Sequence, residues 1–441
     1  MFRHELKELF RLAGPLAAAQ AGTQLMGLVD VAVLGRYGAR ELAASGVGNA
    51  VFFAFSVIGM GIVLGIDPLM SQAVGAADRS HARRVLWQGV WLSLAVSAVL
   101  TVILLGAALA LPVIGTPDLI EPARIYLLIR TASLAPFLLF FAVRSYLQAH
   151  GVTRPMVVAM LAANVLNLVG DIVLVFGWGI IPSLGVAGAA LATLACTFLQ
   201  LAIVVAAVRF VDVPETVDHR WNGDAVRHAF RIGLPIGLQM GAEVGVFALV
   251  ALLAGRLGTM QLAAHQLVIS LASFTFTVAV GVATAGSVRV GLAIGARDPI
   301  ATRLAGHVAF LGGALVMGAG AAAFALFPEK LARLVTDQQS IIAGAIPLML
   351  VAAVFQLSDG IQAAGAGVLR GAGDTRYAFV ANVIGHWFVG LPVALWLGFW
   401  MGMGIVGLWW GLCVGLTVVA VLLFMRFERL SREIIEPLGR G

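Results

Sequence analysis

Two cysteines in 441 residues, Cys196 and Cys413, leave no basis for a disulfide framework or a thiolate metal site, and both lie in apolar runs that suit packed free thiols. Charge is the second scarcity. Asp, Glu, Lys and Arg together make up 11% of the chain, against roughly 25% in soluble domains, which excludes an ordinary water-soluble fold. The eight histidines form no HExxH and no close intramembrane pair, so a zinc hydrolase has no ligand set here. The net charge of +6 does not indicate nucleic acid, because the arginines stand in short blocks between apolar stretches.

Apolar length is present instead. The chain is 61% hydrophobic and its mean hydropathy is +0.99. Runs such as 85–112, 155–167, 183–208 and 304–328 carry no charge inside them; the longer ones suffice for a span of about 20 residues. The pattern predicts an all-α integral membrane protein with twelve transmembrane helices, centred near residues 22, 58, 98, 136, 167, 196, 242, 275, 315, 355, 388 and 413. No cleavable leader is expected, since the charged opening (Arg3, Lys7, Arg11) runs straight into a full-length span.

The chain also contains itself twice. Phe10-Arg11-Leu12-Ala13-Gly14-Pro15 returns as Phe230-Arg231-Ile232-Gly233-Leu234-Pro235, and Gly75-Ala76-Ala77-Asp78 as Gly295-Ala296-Arg297-Asp298, both at an offset of 220. Gly151-Val152-Thr153-Arg154 matches Gly373-Asp374-Thr375-Arg376. The matching Gly-Ala-x-Asp loops are both followed by arginines, which puts them on one side of the membrane. The repeats are therefore parallel, with an even number of spans each. The Lys/Arg bias places this side, both termini and the central linker in the cytoplasm, as for a plasma (inner) membrane protein. The expected division is an N-terminal six-helix lobe (1–208), a polar linker (209–228), a C-terminal six-helix lobe (229–425) and a short amphipathic tail (426–441) lying along the inner surface.

Function must then reside in the few ionisable groups inside spans, where charge is costly. Asp30, Asp171, Glu243 and Asp359 are the principal ones, with His265 beside them. Asp30, Glu243 and Asp359 have no acidic counterpart in the other repeat: position 250 is Val, 23 is Thr and 137 is Phe. A symmetric scaffold with asymmetric charge points to a task beyond folding. Gln239 precedes Glu243 by four residues and Gln356 precedes Asp359 by three, so each acid shares a helix face with an amide. His265, Gln266, Ser270, Ser273 and Thr277 give one span a polar stripe. Asn164, Asn167 and Asp171 line a second stripe that Asp30 can face. Carboxylates without a basic partner take up a proton or a cation such as Na⁺, and Na⁺ is possible at Glu243 and Asp359. Interhelical hydrogen bonding is the purely structural alternative. Asp67 is read as interfacial, and Arg144 and Arg289 as reaching the cytoplasmic surface. Phe52, Phe53, Phe55, Phe137, Phe140, Phe141, Phe274 and Phe276 either pack or line an apolar cavity for planar cations.

Four segments resemble the multidrug and toxic compound extrusion (MATE) family: Gly27-Leu28-Val29-Asp30 with Gly35; Glu243-Val244 leading to Ala263-Ala264-His265-Gln266; Arg289-Val290-Gly291 with Gly295; and Asp359-Gly360-Ile361-Gln362 leading to Leu369-Arg370-Gly371-Ala372-Gly373-Asp374. The span-7 Glu, the Ala-His-Gln run and the span-10 Asp are similar to its NorM-type branch. The resemblance implies two six-helix lobes around a V-shaped cleft and efflux of organic cations coupled to entry of Na⁺ or H⁺. It places the cation site at Glu243 and Asp359 and the N-lobe acid at Asp30. Asp171 departs from the pattern, because NorM-type chains usually carry Asn there, and this tilts the coupling ion toward the proton.

The expectation is a cation-coupled antiporter working by alternating access, monomeric, with small organic cations as substrates, no cofactor beyond the coupling ion and no nucleic-acid partner. Two rivals are a flippase for a lipid-linked substrate, which would need several basic residues inside, and an integral membrane enzyme, for which His265 with Glu243 is the thin starting point. His386 is read as structural.

Overall fold

The computed structural model describes residues 1–114, 117–212 and 217–438. Twelve helices are long and apolar enough to cross a membrane: α1 (Phe2–Tyr37), α2 (Ala39–Gly75), α3 (Arg79–Pro112), α4 (Asp118–Ala149), α5 (Arg154–Phe176), α6 (Val186–Phe210), α7 (Gly223–Leu257), α8 (Thr259–Gly295), α9 (Pro299–Leu326), α10 (Gln339–Gly371), α11 (Thr375–Trp400) and α12 (Gly404–Leu430). No strand occurs among the described residues. All twelve predicted centres fall inside these helices. Several helices overrun the bilayer: the 34 residues of α3 rise about 51 Å, against roughly 30 Å of hydrocarbon.

The duplication is visible in the backbone. Ala77 and Arg297 both adopt left-handed φ, 58° and 56°, and each ends a helix by a bond from the next amide back to a carbonyl, Asp78 N to Ala73 O and Asp298 N to Ala293 O, both at 3.0 Å. This is the Schellman-type stop. The Asp that follows then caps the next helix, Asp78 accepting from the His81 amide and Asp298 from the Ala301 amide. The Gly-Ala-x-Asp motif is thus a helix stop followed immediately by a helix start.

Packing resolves two compact units. One comprises Met1–Ala17, Gly75–Ala77 and the chain from Leu238 onward; the other comprises Ala18–Val74 and Asp78–Gly237. Their boundaries run through α1 and α7, whereas the division read from sequence falls in the linker. In the Ala18–Gly237 unit, α5 packs on α6, and α4 on α2, α3 and α6. Residues 219–222 of the linker are strapped to α3: Gln88 donates to the Arg220 carbonyl at 2.9 Å and accepts from the Asn222 amide at 3.0 Å, and Trp91 donates to the His219 carbonyl. The start of α7 lies against α2 so closely that a Cβ on Gly233 would stand 1.9 Å from the Ile62 carbonyl oxygen.

In the other unit, α10 is the hub for α8, α9 and α12. One core gathers around Phe355, Met349, Trp409 and Leu412, and a second around Leu9, Phe310, Val368 and Phe427. The start of α1 mirrors the start of α7: a Cβ on Gly281 would meet Ala17 and Ala13 at 2.8 and 2.9 Å, where Gly281 is the repeat of Gly61. Beyond α12, residues 431–438 form no helix. The tail turns back so that Leu438 covers Gly373, and Arg426, at the end of α12, pairs with Asp374 at 2.7 Å. The described tail therefore packs on its own unit.

α11 is wound irregularly. Its α-helical start, Thr375–Val383, gives way to π-helical turns over Ile384–Gly390 and Trp396–Trp400. Such widened turns redirect side chains and occur often at functional sites.

Candidate functional site

The Ala18–Gly237 unit brings together the first predicted cluster. Asp30 on α1 accepts from Asn167 Nδ2 of α5 at 2.8 Å through Oδ1, and from Thr193 Oγ1 of α6 at 3.3 Å through Oδ2. Asp171 lies one turn beyond Asn167, fully buried. Both of its carboxylate oxygens lack a donor, and Asp30 is the carboxyl group within hydrogen-bonding reach. Two carboxyls so placed satisfy each other only when one carries a hydrogen. Asn164 serves a different purpose: it bonds the Gly22 carbonyl at 3.0 Å and its own helix at Met160 O, tying α5 to α1 at the point where glycine allows close approach. Thr193 was not anticipated. Its signal is the stripe Thr193, Thr197, Gln200 on α6 at helical spacing, all three buried.

The second cluster lies in the unit from Leu238 onward. Glu243 on α7 accepts from Asn382 Nδ2 of α11 at 3.4 Å and is within hydrogen-bonding reach of Gln362 on α10. Asp359 stands one turn before Gln362, buried, and within electrostatic reach of Glu243. The side-chain oxygens of Gln362 and Asn382 have no donor. Two carboxyl groups from α7 and α10 and two amide groups from α10 and α11 thus gather at one place, the amides as donors to Glu243. Trp387, in the π-helical stretch, donates to the Ala242 carbonyl at 3.1 Å and fixes the backbone beside Glu243. No group of three or more His, Cys, Asp or Glu suited to a metal ion occurs among the described residues.

Other anticipated residues stand apart. Gln239 is buried one turn before Glu243, yet that carboxylate is met by Asn382 and Gln362. Gln356 is wholly buried with both amide heteroatoms unmet, and its oxygen faces Gly320 of α9. His265 rests edge-on against Trp409, ring centres 5.8 Å apart. Gln266 is exposed on α8 and contributes its carbonyl to Ser270. His386 is buried beside Phe247 with Nε2 unmet. Asp67 is buried and accepts from Ser145. Arg289, a quarter exposed at its side chain, clasps Glu5 of α1 through Nε at 2.8 Å and Nη2 at 2.5 Å, because a carboxylate 284 positions away is placed beside it by the fold. Arg144 lies over the Phe141 ring at 5.2 Å.

Comparison with known proteins agrees with this architecture. The MatE family model matches residues 15–173 and 235–396, two segments that open 220 residues apart. The chain is 34% identical over 446 residues to Probable multidrug resistance protein NorM of Pseudomonas putida, covering 99% of this chain and 96% of that one. It is 35% identical over 432 residues to the protein of the same name from Deinococcus radiodurans, covering 96% and 95%. Among solved structures, an outward-facing multidrug resistance MATE family transporter superposes with a TM-score of 0.89 at 22% identity, covering 97% and 96%. The eukaryotic MATE transporter AtDTX14 does so at 0.86 and 21%, covering 98% of each chain. With full-length relatives above 30% identity and a family match in both repeats, this chain belongs to the MATE (multidrug and toxic compound extrusion) family.

Proposed function

We propose that this chain is a multidrug efflux transporter of the inner membrane, with both termini in the cytoplasm, that exports small organic cations in exchange for an inward-moving cation. Its NorM relatives are multidrug resistance proteins, which removes the enzyme reading. The observation that carries the coupling is that each compact unit holds a pair of neighbouring carboxyls with no basic side chain paired to either member: Asp30 with Asp171, and Glu243 with Asp359. Isolated charge is too costly in such an interior, so each pair holds a proton or a metal cation and releases it when water reaches it.

The two pairs differ in chemistry. Asp171 has no donor but its partner acid, which suits a proton. Glu243 is met by the amides of Asn382 and Gln362 and has Asp359 within electrostatic reach, a set that suits a proton or Na⁺ as transported co-substrate. Occupancy by the cation and by the drug favours different conformations, so cation entry down its gradient expels the drug by alternating access. A flippase reading lacks the multiple basic groups needed inside.

The test is purified protein in liposomes at clamped membrane potential, following efflux of ethidium under a pH gradient alone or a Na⁺ gradient alone. Efflux under pH alone assigns proton antiport; efflux under Na⁺ alone assigns Na⁺ antiport. No efflux under either would sink the proposal and return the lipid-linked substrate.

A further inference from the structure

Trp178, Ile180 and Trp400 stand bare at the tips of two helix pairs, 69%, 100% and 85% exposed. The first two lie in the α5–α6 connection (177–185), and Trp400 opens the α11–α12 connection (401–403). Neither connection holds a charged residue. The two are equivalent by repeat, since Gly185-Val186-Ala187-Gly188 returns as Gly404-Ile405-Val406-Gly407. Other turns at the same end of each unit are built for water. The α1–α2 turn carries Arg36, Arg40 and Glu41, and the α9–α10 connection carries Glu329, Lys330, Arg333 and Asp337.

Helix length sets the depth of both tips. From Arg154 to Phe176 α5 rises about 33 Å, and from Arg426 back to Gly404 α12 rises about the same. Basic residues at one helix end mark one face of a hydrocarbon layer about 30 Å thick. Each tip therefore reaches the level of the opposite face. The tips are also built turns. Trp178 and Ile181 exchange two backbone bonds at 3.0 Å, with Gly177 and Gly179 supplying left-handed φ of 84° and 60°. Ser183 Oγ bonds the Val175 carbonyl at 2.7 Å and the Tyr37 hydroxyl at 3.0 Å, which ties this tip to the end of α1. In the other tip the Met401 and Met403 amides bond back to the Trp396 and Leu397 carbonyls at 2.9 and 3.1 Å. Backbone paired in this way enters a low-dielectric layer at little cost. The bare side chains, in contrast, are costly in water. The exposed apolar surface runs on into the helices, through Ile172 and Phe176 of α5 and Trp396 and Phe399 of α11.

We infer that the two tips are lipid-facing anchors, each dipping into the boundary between headgroups and acyl chains in the leaflet opposite the basic helix ends. Trp is the side chain suited to that level, with an apolar body and one polar N–H. The surface they fit is the bilayer, and each fixes the height of its own unit in the membrane. The inference rests on the spans alone and is independent of the export reading and of the coupling ion.

Spin labels measure the depth. Ile180→Cys, Met401→Cys and, as a water-side reference, Asp337→Cys are each labelled in the full chain, reconstituted in liposomes of phosphatidylethanolamine and phosphatidylglycerol. The native Cys196 and Cys413 are buried, and the parent chain gives the background. Because Ile180, Met401 and Asp337 are exposed, cysteine there disturbs no packing. Power saturation compares collisions with O2, which concentrates in lipid, and with a water-soluble nickel chelate. Insertion to the depth of an interfacial element predicts an O2-to-nickel accessibility ratio at 180 and 401 at least about threefold above that at 337. A ratio equal to that at 337 would put the tips in water and overturn the inference, as would immersion of one tip without the other. Few collisions with either reagent would mean that protein covers the tips, and would overturn it in favour of a docked partner or a second copy.

Discussion

Asn167 and Asp171 lie one turn apart on α5, yet they meet Asp30 differently: Asn167 donates to it at 2.8 Å, while Asp171 has nothing to donate and no donor facing it. The amide holds Asp30 as an acceptor whatever its charge. The second acid holds it only when a hydrogen lies between them. On the proposed proton antiport, the pair would have two states that differ in the force between α1 and α5, as a proton-driven conformational change requires.

Asp171→Asn tests this directly. The amide preserves shape and supplies a permanent donor, so the chain should fold, and its melting temperature should stay level or rise. Efflux driven by a pH gradient should fall at least about tenfold, since that position no longer takes up or releases a proton. Parent-like pH-driven efflux in this variant would show that the proton is carried elsewhere.

Glu243 and Asp359 call for a separate measurement. If Na⁺ is the co-substrate, Glu243→Gln and Asp359→Asn should each abolish Na⁺-driven efflux. Asn382→Ala, which removes an amide from the rim of the site, should raise the Na⁺ concentration for half-maximal efflux about tenfold. Sodium dependence unchanged in all three variants would leave this cluster with a proton-binding or purely structural role.

The acids were legible because a carboxylate in an apolar run has no cheap structural explanation, and the duplication showed that they were not inherited from the fold. Their partners were less legible. Thr193, Gln362 and Asn382 are ordinary polar residues in sequence, and they meet the acids only because α6, α10 and α11 pass the right points. Spacing on one helix indicated Gln239 and Gln356 as supports, but facing the same way does not ensure that an amide reaches an acid when another helix delivers a closer one. The π-helical turns of α11 leave no periodic trace. The Arg289–Glu5 contact joins residues 284 apart, a separation across which no local pattern operates. The stacking of Arg130 on Phe52 is a tertiary contact that no local pattern indicates.

Gly233 illustrates a constraint that sequence counts of glycine do not reveal. A Cβ there would stand 1.9 Å from the Ile62 carbonyl oxygen and 2.7 Å from its carbon, and neither backbone atom can swing away. Gly233→Ala should therefore force α2 and α7 apart and lower stability by about 2 kcal/mol or more. Gly14, its neighbour by repeat, has nothing within 4 Å of an added Cβ, so Gly14→Ala should be neutral or stabilising by up to about 1 kcal/mol through helix propensity. Thermal melts in detergent compare the two. Equal melting temperatures would mean that the α2–α7 approach is not as close as described.

The Glu5–Arg289 pair anchors the start of α1 on α8, and its energetics depend on burial. Glu5 is 7% exposed and accepts two bonds from one guanidinium. Removing the arginine alone strands a buried carboxylate, so Arg289→Met should cost about 3 kcal/mol. Glu5→Gln alone should cost less, because a neutral amide still accepts one bond and the arginine, a quarter exposed at its side chain, is partly solvated. Combining them should recover much of the loss from Arg289→Met, since no unpaired charge is then left inside. Such non-additivity in a double-mutant cycle, read from thermal melts, is expected of a buried ion pair and not of two independent packing contacts. Additive losses would show that the two residues act separately, and that the start of α1 is held by its apolar packing at Leu9 and Ala13 alone.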